Sequence, residues 1–204
     1  MKLEEAKKEY YRRLAREEGY KSRAAYKLLE AVTRYRLIKP GDSVLDLGSA
    51  PGGWIQVAAE TVGDKGVVIG VDLSPIKLPP QGNVHLFQAD INDPAIVENV
   101  RALINPPRPL PLDVLLSDLS PNISGVWELD HYKQIELTLR SLAIGDSLLK
   151  VGGNAMLKVF DGERFAEIRK EADRRFQVVH IMKPKASRRE SSEMYLLCLT
   201  RRRP

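Results

Sequence analysis

Lys158 stands alone as a charge inside the apolar run Asn154 to Phe160 (NAMLKVF). An ammonium group in a strand core is costly to desolvate. A lysine kept there beside carboxylates can have its pKa moved and can act as a base. Two carboxylates are placed to join it: Asp118 ends the apolar run DVLLSD, and Glu193 opens the run EMYLLCL. Upstream lies DLGSAPGGW, Asp46 to Trp54, a glycine-rich turn after an apolar stretch. These residue types together point to an enzyme that binds a nucleoside cofactor and deprotonates a weak acid.

The turn narrows the cofactor. Glycines between a strand and a helix let backbone approach a ligand closely. The pattern is not GxGxxG, and Pro51 removes an amide that a pyrophosphate would use, which disfavours a dinucleotide. Asp72 closes the next apolar run 20 residues after Gly52, where an acid takes ribose hydroxyls, and Asp90 closes the one after, where it could accept from an adenine amine. Gly52 and Gly53 of the turn, with Asp72 and Asp90, are the cofactor contacts that the residues themselves offer. An acidic pocket with no phosphate cradle suits a cationic nucleoside, and S-adenosyl-L-methionine fits.

The elements that must position these groups follow from periodicity. Residues 2–18 predict a charged helix with Leu3, Ala6, Tyr10 and Leu14 on one stripe. Ser22 predicts the N-cap of a second helix to Tyr35. Strands are predicted at SVLDLG, GVVIGVDL, VHLFQAD, LDVLLSD, NAMLKVF, FQVVHIM and EMYLLCLT. Helices are predicted at about 53–62, 93–105, 130–150 (stopped by Gly152 and Gly153) and 163–174, with a rigid proline-rich loop over 105–111. Strands alternating with helices give a parallel sheet covered on both faces. The last two strands are joined by KPKASRRESS without a helix, so the final strand is antiparallel. The expectation is a Rossmann-like α/β domain: a seven-stranded, mostly parallel sheet, helices on both faces, and an N-terminal helical extension. Residues 1–39 are read as a basic RNA-binding extension and 40–204 as the catalytic core of one domain.

Composition agrees. With 204 residues, 43% hydrophobic and 29% charged, the chain suits one soluble domain. No apolar run approaches a membrane span, and the charged N-terminus has no signal core, so a cytoplasmic location is expected. The single cysteine, Cys198, excludes an internal disulfide and is read as a buried strand residue. No metal-ligand pattern is visible. Residues 1–40 hold 12 basic and 6 acidic residues and residues 183–204 hold 7 and 2, while the middle is acidic. Two basic ends suggest a polyanion held between them. Lys7, Lys8, Arg12, Arg13, Arg16, Lys21 and Arg23, with Lys183, Lys185, Arg188 and Arg189, are the candidate phosphate contacts. Arg201 to Arg203 could add a basic tail. Tyr10, Tyr11 and Tyr20 could stack bases or staple the first helix to the core.

Seven segments in order, SRAAYKL (22–28), LDLGSAPGGW (45–54), VDLSP (71–75), QAD (88–90), SDLSPNISG (117–125), LKVFDGE (157–163) and KPKASRRESSEMYL (183–196), resemble the FtsJ/RrmJ (RlmE) family of ribose 2′-O-methyltransferases across nearly the whole chain. The resemblance implies a Lys-Asp-Lys-Glu tetrad on Lys27, Asp118, Lys158 and Glu193. It implies S-adenosylmethionine as cofactor, with contacts on Gly52, Trp54, Asp72, Asp90 and Asp118, and, as acceptor, a uridine of large-subunit ribosomal RNA; no membrane or obligate protein partner is implied. SDLSPN departs from the commoner SDMAPN but keeps the Asp and the Pro-Asn. A ribose 2′-hydroxyl is a very weak acid, so its methylation needs in-line placement and removal of its proton. Lys158 is the candidate base, with Asp118 orienting it, Lys27 opposing its protonation and Glu193 positioning the lysines or the ribose; a charged Lys158 that only orients the hydroxyl stays open. Enzymes that methylate exocyclic amines place Asn/Asp-Pro-Pro-aromatic at residue 118, which favours sugar over base here. The alternatives are a tRNA anticodon-loop 2′-O-methyltransferase and an RNA-binding ribosome-assembly factor whose catalysis is secondary. A nicotinamide oxidoreductase is disfavoured by the turn.

Overall fold

The computed structural model describes residues 3–79, 81–103, 111–188 and 190–203. Two helices come first, α1 (Leu3–Glu17) and α2 (Ala25–Tyr35). Then follow β1 (Ser43–Leu47), α3 (Gly53–Val62), β2 (Val67–Asp72), β3 (Val84–Gln88), α4 (Ile96–Leu103) and β4 (Leu112–Ser117). The chain ends with α5 (Trp127–Leu148), β5 (Leu149–Phe160), α6 (Phe165–Arg175), β6 (Phe176–Met182) and β7 (Glu193–Arg201). The seven strands form one sheet in the order β3-β2-β1-β4-β5-β7-β6, in which β7 pairs antiparallel with both β5 and β6. The Rossmann-like α/β expectation and the reversed last strand are therefore both met.

Strands β1, β2 and β4 are buried along almost their whole length, as a sheet covered on both faces requires. One core lies between the sheet and α4, α5 and α6, built on residues such as Leu45, Ile69, Leu115, Ile135 and Ile168. The other lies between the sheet and α2 and α3, built on Leu28, Ala31, Val44, Ile55, Val68 and Leu116. The helix carrying Lys27 is thus part of the core, so Lys27 is held against the sheet rather than swung over it. Among the described residues no helix is long and apolar enough to cross a membrane.

Several sequence expectations need correction. The inward stripe of α1 is displaced: Tyr10 is half exposed and Ala15 is the buried residue, because α1 meets the body through Ala15 and the Tyr11–Tyr26 ring contact. Ser22 does not cap α2. The helix starts three residues later behind Ala24, with no side-chain cap bond, and the Ser22 carbonyl accepts from the Ala25 amide in a preceding turn. Helix α5 begins at Trp127 and ends at Leu148, before the glycines that were expected to stop it. Gly152 and Gly153 belong to β5, where the register against β4 shifts. Gly152 has a φ of +80°, and a Cβ on Gly153 would stand 2.9 Å from the Asp113 carbonyl, so glycine serves a bulge and a close approach here. Helix α4 starts later than expected, at Ile96, following a turn closed by Asp93 onto the Ala95 amide. The proline-rich loop lies, but for Pro111, outside the described residues.

Leu28 is fully buried between α2 and the sheet. Leu28→Ala should destabilise the protein by about 2–5 kcal/mol, read as a lower urea midpoint with an unchanged slope.

Candidate active site

The strand order reverses between β1 and β4, and ligands in such sheets bind outside the carboxyl ends of the strands at that point. Asp118 follows the last residue of β4 there, its amide bonded to the Leu47 carbonyl at the end of β1. Lys158 is two residues from the end of β5, and Glu193 begins β7. The β5–β7 register sets Lys158 opposite Tyr195 and Phe160 opposite Glu193. Side chains two apart on a strand share a face, so Lys158, Tyr195 and Glu193 converge. Lys27 reaches them from α2.

The contacts are close. Lys158 Nζ lies 2.8 Å from Asp118 Oδ1, donates to the Asp118 carbonyl at 2.9 Å and is 3.7 Å from Glu193 Oε2. Lys27 Nζ lies 2.6 Å from Glu193 Oε1. Both lysines are 6% exposed. All four residues that sequence placed together are therefore together. Two ammonium and two carboxylate groups leave no formal net charge, the condition under which such burial is tolerable. Desolvation pushes the Asp118 carboxyl up, but Lys27 and Lys158 outweigh it and hold the group below the usual carboxylate range. Glu193 is likewise desolvated and held low by Lys27 and Lys158. Carbonyl acceptance from Gln134 and Thr138 ties the Lys158 backbone to α5.

Tyr195 is the residue that sequence reasoning missed. It is fully buried. Its hydroxyl donates to Asp118 Oδ1 at 2.5 Å and accepts from Lys27 Nζ at 3.0 Å. Burial, reinforced by the Asp118 and Glu193 carboxylates, raises its pKa well above that of a free phenol, so it stays a donor. Its position two after Glu193 in a strand was the available signal. Ser187 was also missed; its hydroxyl donates to Glu193 Oε1 at 2.8 Å.

Two cavities adjoin Asp118. The larger, about 390 Å³, is lined by Gly48, Asp72, Asp90, Asp118 and Asn122 among others, and among the described residues no lysine or arginine lines it. Asp72 is fixed by the Ala50 and Ser74 amides, at 2.9 and 2.7 Å. Asp90 receives the Asn92 amide at 2.8 Å. The smaller, about 250 Å³, is lined by Ser22, Arg23, Lys27, Ser49, Gly53 and Trp54 at the start of α3. Ser22 Oγ and Ser49 Oγ are buried there without a protein partner. An acidic, phosphate-free chamber joined through Asp118 to a polar one at a helix N-terminus fits a nucleoside bearing an amino-acid arm, the shape and charge of S-adenosylmethionine. Of the other candidate contacts, Gly52 has a φ of +110° and a Cβ there would meet Leu78 at 2.9 Å. The Trp54 indole packs in the core, donates to the Ala24 carbonyl and contacts Tyr195, and the residue lines the smaller cavity. Among the described residues no three His, Cys, Asp or Glu side chains gather as a metal site.

The basic segments meet at the same edge. Arg23 Nη1 donates to the Ala186 carbonyl at 2.5 Å, joining the segment before α2 to the one before β7. Arg12 and Arg188 lower the pKa of Lys8, and burial together with Arg188 lowers that of Arg23, the mark of like charges left facing one another. Arg189 lies outside the described residues. Of the three tyrosines, Tyr20 donates to Glu60 and Tyr11 packs on Tyr26, both stapling the first helices to the body, while Tyr10 is half exposed.

Residues 20–201 match the model of the FtsJ-like methyltransferase family. A protein of Nitrosopumilus maritimus named ribosomal RNA large subunit methyltransferase E is 45% identical over 199 residues, covering 98% of both chains. One of the same name from Methanocaldococcus jannaschii is 44% identical over 94% of this chain and 78% of its own. A solved structure from Plasmodium falciparum, provisionally described as a ribosomal RNA methyltransferase, superposes with a TM-score of 0.78 at 30% identity, over 89% of this chain and 98% of the other.

Asp46, on β1 beneath these cavities, is fully buried and neither carboxyl oxygen has a protein partner. Desolvation, then Asp118 and Asp72, raises its pKa well above the ordinary carboxylate range. The native state therefore keeps a proton that the unfolded chain loses above its ordinary pKa, so this group makes stability fall as pH rises through and beyond that value. Asp46→Asn should raise the melting temperature at pH 7, with the gain shrinking as pH falls toward 4 (about the pKa of an unfolded Asp). Differential scanning fluorimetry across pH checks this, and a gain that grows on acidification would contradict it.

Proposed function

Since the chain belongs to the FtsJ-like methyltransferase family, we propose that it methylates the ribose 2′-hydroxyl of a nucleotide in large-subunit ribosomal RNA, with S-adenosyl-L-methionine as donor. The observation that carries this reading is the buried Lys27–Asp118–Lys158–Glu193 cluster beside an acidic cavity. The names of the relatives support ribosomal RNA as acceptor.

S-adenosylmethionine supplies an electrophilic methyl group on a positively charged sulfur. Asp72, Asp90 and Gly48 would hold its nucleoside, Ser22, Ser49, Gly53 and the Trp54 backbone its amino-acid arm, and Asp118 lies between them. Once its ammonium has released a proton to solvent, Lys158 takes the proton of the 2′-hydroxyl at Nζ. Asp118 already occupies two donors of that nitrogen, through Oδ1 and the carbonyl. In the neutral amine those are all the donors it has, so the lone pair is left for the hydroxyl. The ammonium formed by proton transfer then lies against Asp118 and Glu193, which stabilise the charge as it develops. Lys27 neutralises Glu193 and, with Tyr195, fixes the carboxylates around Lys158. The cations Lys8, Arg12, Arg23 and Arg188 take the phosphate backbone next to the ribose, and Asp118 without a Pro-Pro-aromatic sequence leaves no clamp for an exocyclic amine. Residues 1–39 serve acceptor binding and 40–204 the chemistry, with Lys27 shared by both. The reaction needs no membrane and no protein partner, and its place would be the cytoplasm.

Radiolabel from S-adenosylmethionine should enter unmethylated large-subunit RNA at one nucleotide and make the adjoining phosphodiester resist alkali. Lys158→Ala should lower the rate by about 10²–10⁴-fold while keeping the cofactor-induced thermal shift and RNA binding. Label confined to tRNA would move the acceptor to an anticodon loop. Tyr195→Phe, which strips a donor from Asp118, should cost about 10- to 100-fold in kcat; an unchanged kcat would remove Tyr195 from the mechanism.

A further inference from the structure

Exposed apolar surface is concentrated beside the tetrad. Of eleven large hydrophobic residues exposed on the described surface, five (Ile123, Val126, Trp127, Leu129 and Tyr132) fall within ten residues of one another. They occupy the loop that follows Asp118 and the first turns of α5. The buried Asp130 carboxylate pins that loop, receiving the Ser124 amide and hydroxyl and the Gly125 amide at 2.8, 2.7 and 3.2 Å. The patch is therefore preformed.

Trp127 is its centre. The residue is 45% exposed, and its indole stacks on Phe160 and His131, at 6.0 and 5.6 Å between centroids with interplanar angles of 21° and 27°. Both rings beneath it are buried, so the indole has a rigid backing. Phe160 pairs with Glu193 across the strands and is two residues from Lys158, which makes the aromatic surface continuous with the catalytic cluster. Helix α5 packs on the opposite face of the sheet from α2. The strand ends are thus bracketed by cations from the segments before α2 and β7 and by an exposed indole that reaches the end of β5 from the start of α5.

A nucleotide has the same layout. Its ribose lies between phosphate and base, and the base is bonded to C1′, next to the carbon bearing the 2′-hydroxyl. We propose that Trp127 is the stacking surface for the base of the nucleotide being methylated. This rests on the RNA 2′-hydroxyl reading above. With the hydroxyl at Lys158 and the phosphates at Arg23 and Arg188, the base is directed to the α5 side, where an aromatic face accepts any base by stacking. Trp127 is a positioning residue here, setting the in-line angle of a hydroxyl it does not touch.

The chain has two tryptophans, and the indole of the other, Trp54, is buried and hydrogen-bonded. Emission quenching by RNA therefore reports on Trp127. The probe is the ribosomal RNA fragment that wild-type protein methylates, with and without an abasic residue at the methylated position. Intact fragment should quench emission, and abasic fragment or Trp127→Phe should not show that quench. Trp127→Ala should raise KM for the fragment by about tenfold or more, Trp127→Phe by about threefold or less, as one base–aromatic stack predicts. Affinity for S-adenosylmethionine and melting temperature should hold in both. The proposal is overturned if Trp127→Ala leaves KM unchanged and intact and abasic fragments quench alike, the result also expected if the patch docks a protein. It is equally overturned if Trp127→Ala loses cofactor affinity and stability together, which would make the indole a prop for Phe160. Failure of wild-type protein to methylate any RNA would instead refute the functional reading, independently of the quenching.

Discussion

The architecture around the strand ends depends on keeping two buried lysines neutralised. Lys158 sits in a strand core and Lys27 in a helix packed on the sheet, positions where an unpaired ammonium would cost several kcal/mol. Asp118 and Glu193 neutralise them, and neither carboxylate has a position to spare. Asp118 follows β4, fixed through its amide to β1; Glu193 starts β7, fixed by pairing with Phe160. The reversed direction of β7 brings the start of that strand, rather than its end, to the catalytic edge. A parallel last strand would carry Glu193 to the other end of the sheet and leave Lys27 without its partner.

The phenol of Tyr195 joins the two halves of this cluster. Its hydroxyl accepts from Lys27 and donates to Asp118, so proton donors and acceptors alternate around the site. Because burial and neighbouring negative charge keep the phenol protonated, its direction of donation is fixed. That fixes in turn which Asp118 oxygen faces Lys158. Asp118 also lines both cavities, so in the proposed reading one carboxylate would touch cofactor and base together. A substitution at residue 118 would disturb binding and chemistry at once.

The two faces of the sheet divide the acceptor side. On the α2 face, cations from three chain segments lie close enough to repel one another, a state that a polyanion relieves. On the α5 face the surface is apolar and aromatic, held by Asp130 and by stacking on Phe160 and His131. In the proposed reading the hydroxyl lies at the sheet edge between them. Substrate geometry and protein geometry are in this sense matched across the thickness of one sheet.

The local sequence determined the elements, because alternation of apolar residues and placement of glycine set strand and turn before any long-range contact. It also singled out Lys158, Asp118 and Glu193, since a lysine in an apolar strand and acids at strand ends are legible without coordinates, whereas Lys27 came only from the family resemblance. It misplaced what depends on neighbours. Ser22 has the residue type of a helix cap, but its hydroxyl is instead buried against Gly53, 2.6 Å from where a Cβ would stand, a space only glycine leaves open. Gly152 and Gly153 have the residue type of a helix stop, but their use is set by the Asp113 carbonyl of the adjacent strand. Tyr195 reads as an ordinary strand aromatic, and only the β5–β7 register, which sets it opposite Lys158, makes it the hub of the charge cluster. Register and packing are long-range quantities, decided by which strand lies beside which, and no window of sequence contains them.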